Sequence, residues 1–417
     1  MAFYNNTTTE IYNSVFDQSK YRSEFRLTPD KFYLSNMRIL NLGLHAVDVG
    51  EKRYNLVNGA GAVVKNIYLY DGAVVLDKII NYGDFSAFQA YNKSNQYNSD
   101  VAKILMRNGL GFVWEREPNT NGGETQVCSI KETFPNCPHT PRPAEKSALG
   151  FLKLNEVFPL LKSLQFLHTG LFKNLRVVIE YNVDGSAVGT GIADVFATSL
   201  PILVADSLTN QQVADKWLKE FKGINWISNE IESVQVKSAA EAAITDGVQN
   251  IKYRLTGALN KTVNYVLIQK KLPSTSTYKS ALYGNHASET MFNETYQLAV
   301  NGSSLLPNDG IKTANERLAL LHDTFSVCNT HTCASSLPMY NADEFVDIYG
   351  SRCGRLDYFG CIVNKQLDSL DLLYSREISN DTSFDARYKS ALTLNVFYGV
   401  VKSIVLDGKG NYQVMYV

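Results

Sequence analysis

The 417-residue sequence is poor in charge: Asp, Glu, Lys and Arg make up 19% of it, and the formal net charge is -1. Wrapping a nucleic-acid backbone needs several clustered cations, so no specific nucleic-acid binding is expected. The Lys270-Lys271 pair and the basic residues scattered from Lys162 to Arg176 are interleaved with apolar residues, and a solvated strand face is their expected place. Cysteine is scarce as well. Six cysteines exclude a disulfide scaffold and suit synthesis in a reducing compartment. No apolar run reaches the ~20 residues needed to cross a bilayer. The amino end MAFYNNTTTEIYNS has neither the charged start nor the apolar core of a secretory signal, so no leader is expected.

Catalytic signatures are missing too. There is no GxSxG, HExxH or GxxxxGK[ST], and the glycines Gly185, Gly189 and Gly191 in GSAVGTG do not form GxGxxG. The densest set of metal-ligand types is HDTFSVCNTHTC, with His322, Cys328, His331 and Cys333. Cys353, Cys361, Cys128, Cys137 or His139 would have to complete a site from elsewhere, and none of the spacings matches a zinc signature. The acids Asp343-Glu344 and Asp368 with Asp371 are expected as hydrated surface groups, and Ser351 has no triad partners. Trp114, Trp217 and Trp226 could stack on a sugar or base, but a chain with 24 tyrosines and 20 phenylalanines absorbs them in cores and contacts. The reading is therefore of a protein that is not an enzyme, with no catalytic, cofactor-binding or metal residues and no cofactor.

What is present favours sheets. Apolar residues make up 45%, and the aromatic and glycine counts are high, 27 for glycine. From Phe292 to Phe325, Tyr296, Leu298 and Val300 alternate with polar or small residues up to Asn301-Gly302, a hairpin dipeptide. Beyond it stand Leu305-Leu306, the breaker Pro307-Asn308-Asp309-Gly310 and a helical pattern with Leu318 and Leu321 on one face. From Val64, VKNIYLYDGAVVLDKII repeats this order: Ile67 and Leu69 alternate with Tyr68 and Tyr70, Asp71-Gly72 makes the turn, and Phe85, Phe88 and Tyr91 follow at helical spacing. Two such modules point to a chain built as two similar halves.

Along the chain, residues 1–25 are expected as an extended arm, ordered against a neighbour. Strand-like pieces follow at Phe32 to Leu34 and Met37 to Leu42, a short helix fits Val101 to Met106, and residues 115–146 read as a long excursion rich in Pro, Gly, Asn and Thr. FLKLNEVFPLLKSLQFL has the look of buried strands, and NLRVVIEYN alternates cleanly. The second half opens with a helix in ADKWLKEFKG and continues with strands in NEIESVQVKS, IKYRLTG, TVNYVLIQKKL, ALTLNVFYGV and a final hairpin across Asp407 to Gly410. The expected division is an arm at 1–25, a first sheet domain at 26–205 and a second at 206–417.

At YLYDGAVVL, YQLAVNGSSLL, NLRVVIEYN and VKSIVLDGKGNYQVMYV the sequence resembles the double jelly-roll major capsid proteins of icosahedral double-stranded DNA viruses and related virus-like elements, from about residue 30 to 417. The resemblance implies an all-β fold of two eight-stranded antiparallel jelly-roll sandwiches side by side, with short helices in the connections. It implies a structural subunit of the virion capsid, made in the host cytoplasm or nucleus, whose homotrimers have a pseudohexameric outline and tile an icosahedral shell. Neighbouring capsomers and minor capsid proteins would be its partners, and the amino arm would face inward, clamp neighbours or touch an internal membrane. Residues 115–146 and 325–365 would be outward-facing loops. A minor capsid, penton or spike protein with a receptor- or carbohydrate-binding sandwich is the alternative. The disulfide state of Cys128, Cys137, Cys328, Cys333, Cys353 and Cys361 stays open.

Overall fold

The computed structural model describes residues 7–17, 19–45, 53–54, 64–85, 113–118, 124–129, 147–182, 189–190, 201–271, 294–307, 310–312, 314–327, 358–380, 389–407 and 411–417. Among them, fifteen strands precede residue 209: β1 (Thr7–Asn13), β2 (Val15–Asp17), β3 (Arg22–Arg26), β4 (Phe32–Leu34), β5 (Arg38–His45), β6 (Arg53–Tyr54), β7 (Val64–Asp71), β8 (Val74–Ile80), β9 (Val113–Pro118), β10 (Glu124–Ser129), β11 (Ser147–Lys153), β12 (Phe166–His168), β13 (Leu175–Tyr181), β14 (Gly189–Thr190) and β15 (Ile202–Leu208). Nine follow: β16 (Gly223–Val236), β17 (Gly247–Arg254), β18 (Thr262–Lys271), β19 (Glu294–Val300), β20 (Ser303–Ser304), β21 (Tyr358–Gln366), β22 (Leu370–Ile378), β23 (Leu392–Leu406) and β24 (Tyr412–Tyr416).

The later set shows the topology most simply. Its two sheets run β16-β23-β18-β21 and β17-β22-β19-β20. Counting β16 to β23 as one to eight, these orders are 1-8-3-6 and 2-7-4-5, which is a jelly roll. The earlier set contains the same pattern, β1-β15-β5-β11 against β3-β13-β7-β8, all antiparallel. Strand β2 extends the second of these sheets, β4 and β12 extend the first, and β24 extends the later set on β23. Pairs β9-β10 and β6-β14 form two small ribbons. No pairing among the described strands joins one set to the other.

Both repeated modules occupy the same place in this order, strands four and five. In the first, Asp71 pairs with Val74, so the turn is Gly72-Ala73, with Gly72 at φ 57°. In the second, Val300 pairs with Ser303 around Asn301-Gly302, at φ 51° and 79°, the left-handed pair a type I′ hairpin requires. Helical residues follow in each, from Tyr82 and at Ala314–Val327.

Alternation makes the strands. Buried and half-buried residues alternate through β19, ETYQLAV, and almost throughout β22. Each sandwich has an apolar core, one including Phe25, Ile39, Leu69, Val177 and Leu203, the other Val266, Ile268, Leu298, Leu372 and Val396. Strands β18 and β23 are buried on both faces, because residues such as Leu267 and Phe397 point out of the second sandwich into the first cluster.

Several expectations change. Residues 7–25 are not a free arm: Thr7–Asn13 is strand one of the first sandwich, paired with β15 from Thr7↔Leu208 to Asn13↔Ile202, and β2 and β3 join the opposite sheet. Strand β15 runs through residue 205 to Leu208, so the two strand sets meet beyond it. The apolar run at 151–167 contains two short helices, Leu154–Val157 and Pro159–Ser163, between β11 and β12. Its buried Leu154, Val157, Leu160, Leu161 and Leu164 recur at helical spacing, and Pro159 stands at a helix start, where its missing N–H costs nothing. Within the expected 115–146 loop, β9 and β10 form a hairpin, and the 325–365 stretch begins in a helix and ends in β21. The helix expected at 101–106 and the remainder of both loops lie outside the described residues.

Candidate functional site at the junction of the two sandwiches

The densest polar construction links the two strand sets. Strand β8 ends the first sandwich's sheet and carries Asp77 into a fully buried position. Its carboxylate accepts hydrogen bonds from Ser228 Oγ on β16 at 2.8 Å and from the Leu160 backbone N–H, in the helix Pro159–Ser163, at 3.0 Å. Burial drives the Asp77 pKa up, countered in part by the Lys402 charge and these donors, while burial lowers that of Lys402. One residue on, Lys78 reaches Glu230 of β16 at 2.9 Å, and Glu230 also meets Lys402 of β23 at 3.6 Å and the Tyr416 hydroxyl of β24 at 3.0 Å. Burial raises the Glu230 carboxyl, but the Lys78 hydrogen bond and the charges of Lys78 and Lys402 outweigh it, leaving the group below its ordinary value.

Two further clamps flank this centre. Asp84 faces Lys271 Nζ at 3.0 Å, accepts from Asn395 Nδ2 at 3.2 Å, and through its carbonyl from Gln269 Nε2 at 3.0 Å. Phe85 packs beside Phe397, ring centroids 5.4 Å apart. At the other flank the Tyr412 hydroxyl donates to Asp71 Oδ2 at 2.5 Å, and its ring stands edge-on to Phe172 at 5.0 Å. Charges removed from water lose hydration, so paired and hydrogen-bonded placement is the condition for keeping them here. The arrangement fixes one sandwich against the other.

A second buried network lies inside the later sandwich. Lys270 Nζ meets Glu294 Oε2 at 2.6 Å with both side chains wholly buried, and the Tyr374 hydroxyl donates to the same carboxylate. Arg317, buried on the helix Ala314–Val327, donates to the Glu294 carbonyl at 3.3 Å. This corrects the expectation of a solvated face for Lys270-Lys271. Lys270 is wholly buried and Lys271 partly so, and each lysine has a carboxylate partner.

The residues weighed from sequence do not converge. Cys361 is buried in β21, where burial pushes its thiol up to about 11, and it forms no disulfide. Cys128 of β10 pairs in register with Trp114 of β9. Cys137, His139, Cys328, His331, Cys333, Asp343, Glu344, Ser351 and Cys353 lie outside the described residues, as does the His322 side chain. Among the described residues no group of three or more His, Cys, Asp or Glu could hold a metal ion. Asp368 sits in a turn, where its backbone N–H donates to Asn301 Oδ1 at 2.8 Å, and Asp371 stands in β22 opposite Arg254. Trp226 is buried at the junction, and Trp217 stacks on Phe221 at 4.7 Å beside Phe32, so both serve packing. The junction acids and the Lys270-Glu294 pair were missed; their signal is a charge inside an otherwise apolar strand, as in VVLDKII and YVLIQKK.

No protein-family model matches the chain, and no curated protein matches it. Solved structures do. PBCV-1 VP54, fitted into a reconstruction of the virophage Sputnik, aligns with a TM-score of 0.62 at 9% identity over 99% of this chain and 97% of its own. The faustovirus major capsid protein aligns with a TM-score of 0.53 at 8% identity, covering 96% and 91%. The mavirus major capsid protein gives 0.51 at 8% identity, covering 100% and 91%. Strand order and end-to-end alignment agree: the chain has the double jelly-roll fold.

Proposed function

We propose that this chain is a major capsid protein, a structural subunit of an icosahedral virion shell. The observation that carries the reading is the two complete jelly rolls in one chain, joined by a buried polar junction and aligned along nearly their whole length with structures named as major capsid proteins. A shell subunit needs a stiff body with broad lateral surfaces, and two sandwiches locked edge to face supply one. In this reading three copies close into a pseudohexameric capsomer of six sandwiches, which meets neighbouring capsomers and minor capsid proteins in the virion. The sandwiches act as two domains meeting beyond Leu208. With Thr7–Asn13 committed to a sheet, contact with an internal membrane or a neighbour through the amino end falls to residues ahead of Thr7. The role is architectural, without catalysis and without sequence-specific nucleic-acid binding.

Light scattering on the purified chain tests this. A mass of three chains, stable on dilution, is the expected result. A monomer at high concentration, or a five-chain ring, would remove the major-capsomer reading and leave the fold intact.

A further inference from the structure

The chain passes from the first sandwich to the second through one helix, Gln211–Glu220, between the end of β15 at Leu208 and the start of β16 at Gly223. Asn210 caps it, its side-chain oxygen accepting from the Gln212 and Val213 N–H groups, which fixes where the helix starts. Its hold on the first sandwich is small. Among the described residues the apolar cluster under it has three buried members, Phe32, Leu208 and Ala214, with Phe166 and Trp217 packed at the side.

An ionisable ring lies in this contact. His168, the last residue of β12, stands opposite Phe32 of β4 and is 7% exposed. Its ring is 5.4 Å from that of Phe32 and 6.4 Å from the Trp217 ring, with the last two planes 4° apart. On the remaining side the backbone of Gly170 closes on it: the Gly170 N–H donates to His168 Nδ1 at 2.8 Å, and a Cβ at position 170 would stand 2.6 Å from the ring. With Nδ1 accepting, the ring is neutral and carries its proton on Nε2. The charged groups that face it are Asp215, on the helix, and Asp30, ahead of β4; the ammonium of neighbouring Lys31 is held by Glu10 at 2.8 Å.

Protonation cannot keep this arrangement. An imidazolium donates from both nitrogens, so Nδ1–H would meet the Gly170 N–H head-on, and turning the ring over presents a C–H in place of Nδ1. Either way the Gly170 N–H loses its acceptor. Burial lowers the pKa of the ring and outweighs the Asp215 and Asp30 carboxylates, which favour the cation. With the folded value below the unfolded one, about 6.5, the contribution of His168 is complete above the unfolded value and is lost as pH falls through the folded one.

We propose that His168 is an acid-sensitive clasp for the linking helix: neutral, it seats Trp217 against β4 and β12; protonated, it releases the helix from the first sandwich. The contact is small enough for one group to decide it. Because the helix is the covalent link between the sandwiches, acid loosens the linker while both pairs of sheets remain formed. The clasp is independent of the capsid reading, and either can fail without the other.

Hydrogen exchange of the intact chain at about pH 7.5 and about pH 5, corrected for the intrinsic rate, tests it. The amides of 213–221 are expected to open about tenfold more often at the lower pH, with those of 175–181 unchanged. His168→Asn keeps an oxygen near the place of Nδ1 and removes the titration, so the acid step disappears. Asp215→Asn changes only an exposed side chain and moves the step to lower pH, because it takes away a carboxylate that favours the cation. Equal protection of 213–221 at the two pH values overturns the proposal. A step that persists in His168→Asn, or that Asp215→Asn leaves where it was, overturns it too.

Discussion

At Asp71-Gly72 and at Asn301-Gly302 the residue ahead of the glycine turns its side chain onto the connection that leads into strand seven. Asp71 Oδ1 accepts from the Asn174 N–H at 2.6 Å, and Asn301 Oδ1 accepts from the Asp368 and Ser369 N–H groups at 2.8 and 3.1 Å. The backbones repeat the contact, Gly72 N–H to the Asn174 carbonyl and Asn301 N–H to the Ser369 carbonyl, both at 2.9 Å. Beyond this the two turns part. The second oxygen of Asp71 accepts from Tyr412 of the other sandwich, whereas the Asn301 amide donates to the Gln366 carbonyl of its own. The turn does the same local task in both sandwiches, and in the first it is also part of the junction.

The largest way to separate the two halves is Glu294→Gln, which removes the carboxylate that Lys270 faces inside the second sandwich. The expected loss is about 3–5 kcal/mol, read from the denaturant midpoint. Hydrogen exchange should show β22 opening before β13 in this variant; simultaneous opening would mean that the junction couples the halves completely. Valine at Gly72 or at Gly302 comes next, at about 1–2 kcal/mol each, because a Cβ at either site meets no heavy atom within 4 Å and the cost is the left-handed backbone alone. Unequal losses would break the equivalence of the two turns.

Tyr412→Phe should cost about 0.5–1.5 kcal/mol and loosen only the junction, since it leaves the Asp71–Asn174 contact in place. Acid provides a related test. Glu230 sits below its ordinary pKa in the folded chain, so its contribution is present above the unfolded carboxylate value, about 4.3, and is lost as pH falls through the folded one. Glu230→Gln should therefore show a smaller acid-induced drop in midpoint than the parent chain. Smallest is the effect at Cys361, whose raised thiol pKa and burial predict negligible alkylation at pH 8 until β21 unfolds.

Much of the fold was legible because most strands have one wet face. Alternation in NLRVVIEYN and YQLAV identified β13 and β19, and the glycine turns marked the duplication. The signal failed where that condition failed. TTTEIYN is an edge strand whose Thr8, Thr9, Ile11 and Asn13 are exposed, so its polar composition reads as an arm although it is strand one of a sandwich. The helices at 154–163 are buried on so much of their surface that the run looked like continuous strand. Lys270 looked solvent-bound because a lone charge usually is, and Asp77 carried no expectation at all. Their burial depends on partners at Glu294 and Ser228, 24 and 151 residues away in sequence, a pairing no local pattern encodes. The junction, which fixes the two sandwiches to each other, was for that reason the least visible part.

In the proposed capsomer, two jelly rolls fixed to each other make up one third of a six-lobed particle. Electron-microscope class averages of the purified 417-residue chain test this arrangement. The account predicts a three-chain particle with six lobes of similar size around a near-hexagonal outline. Averages showing two lobes, or five-fold rings, would contradict it.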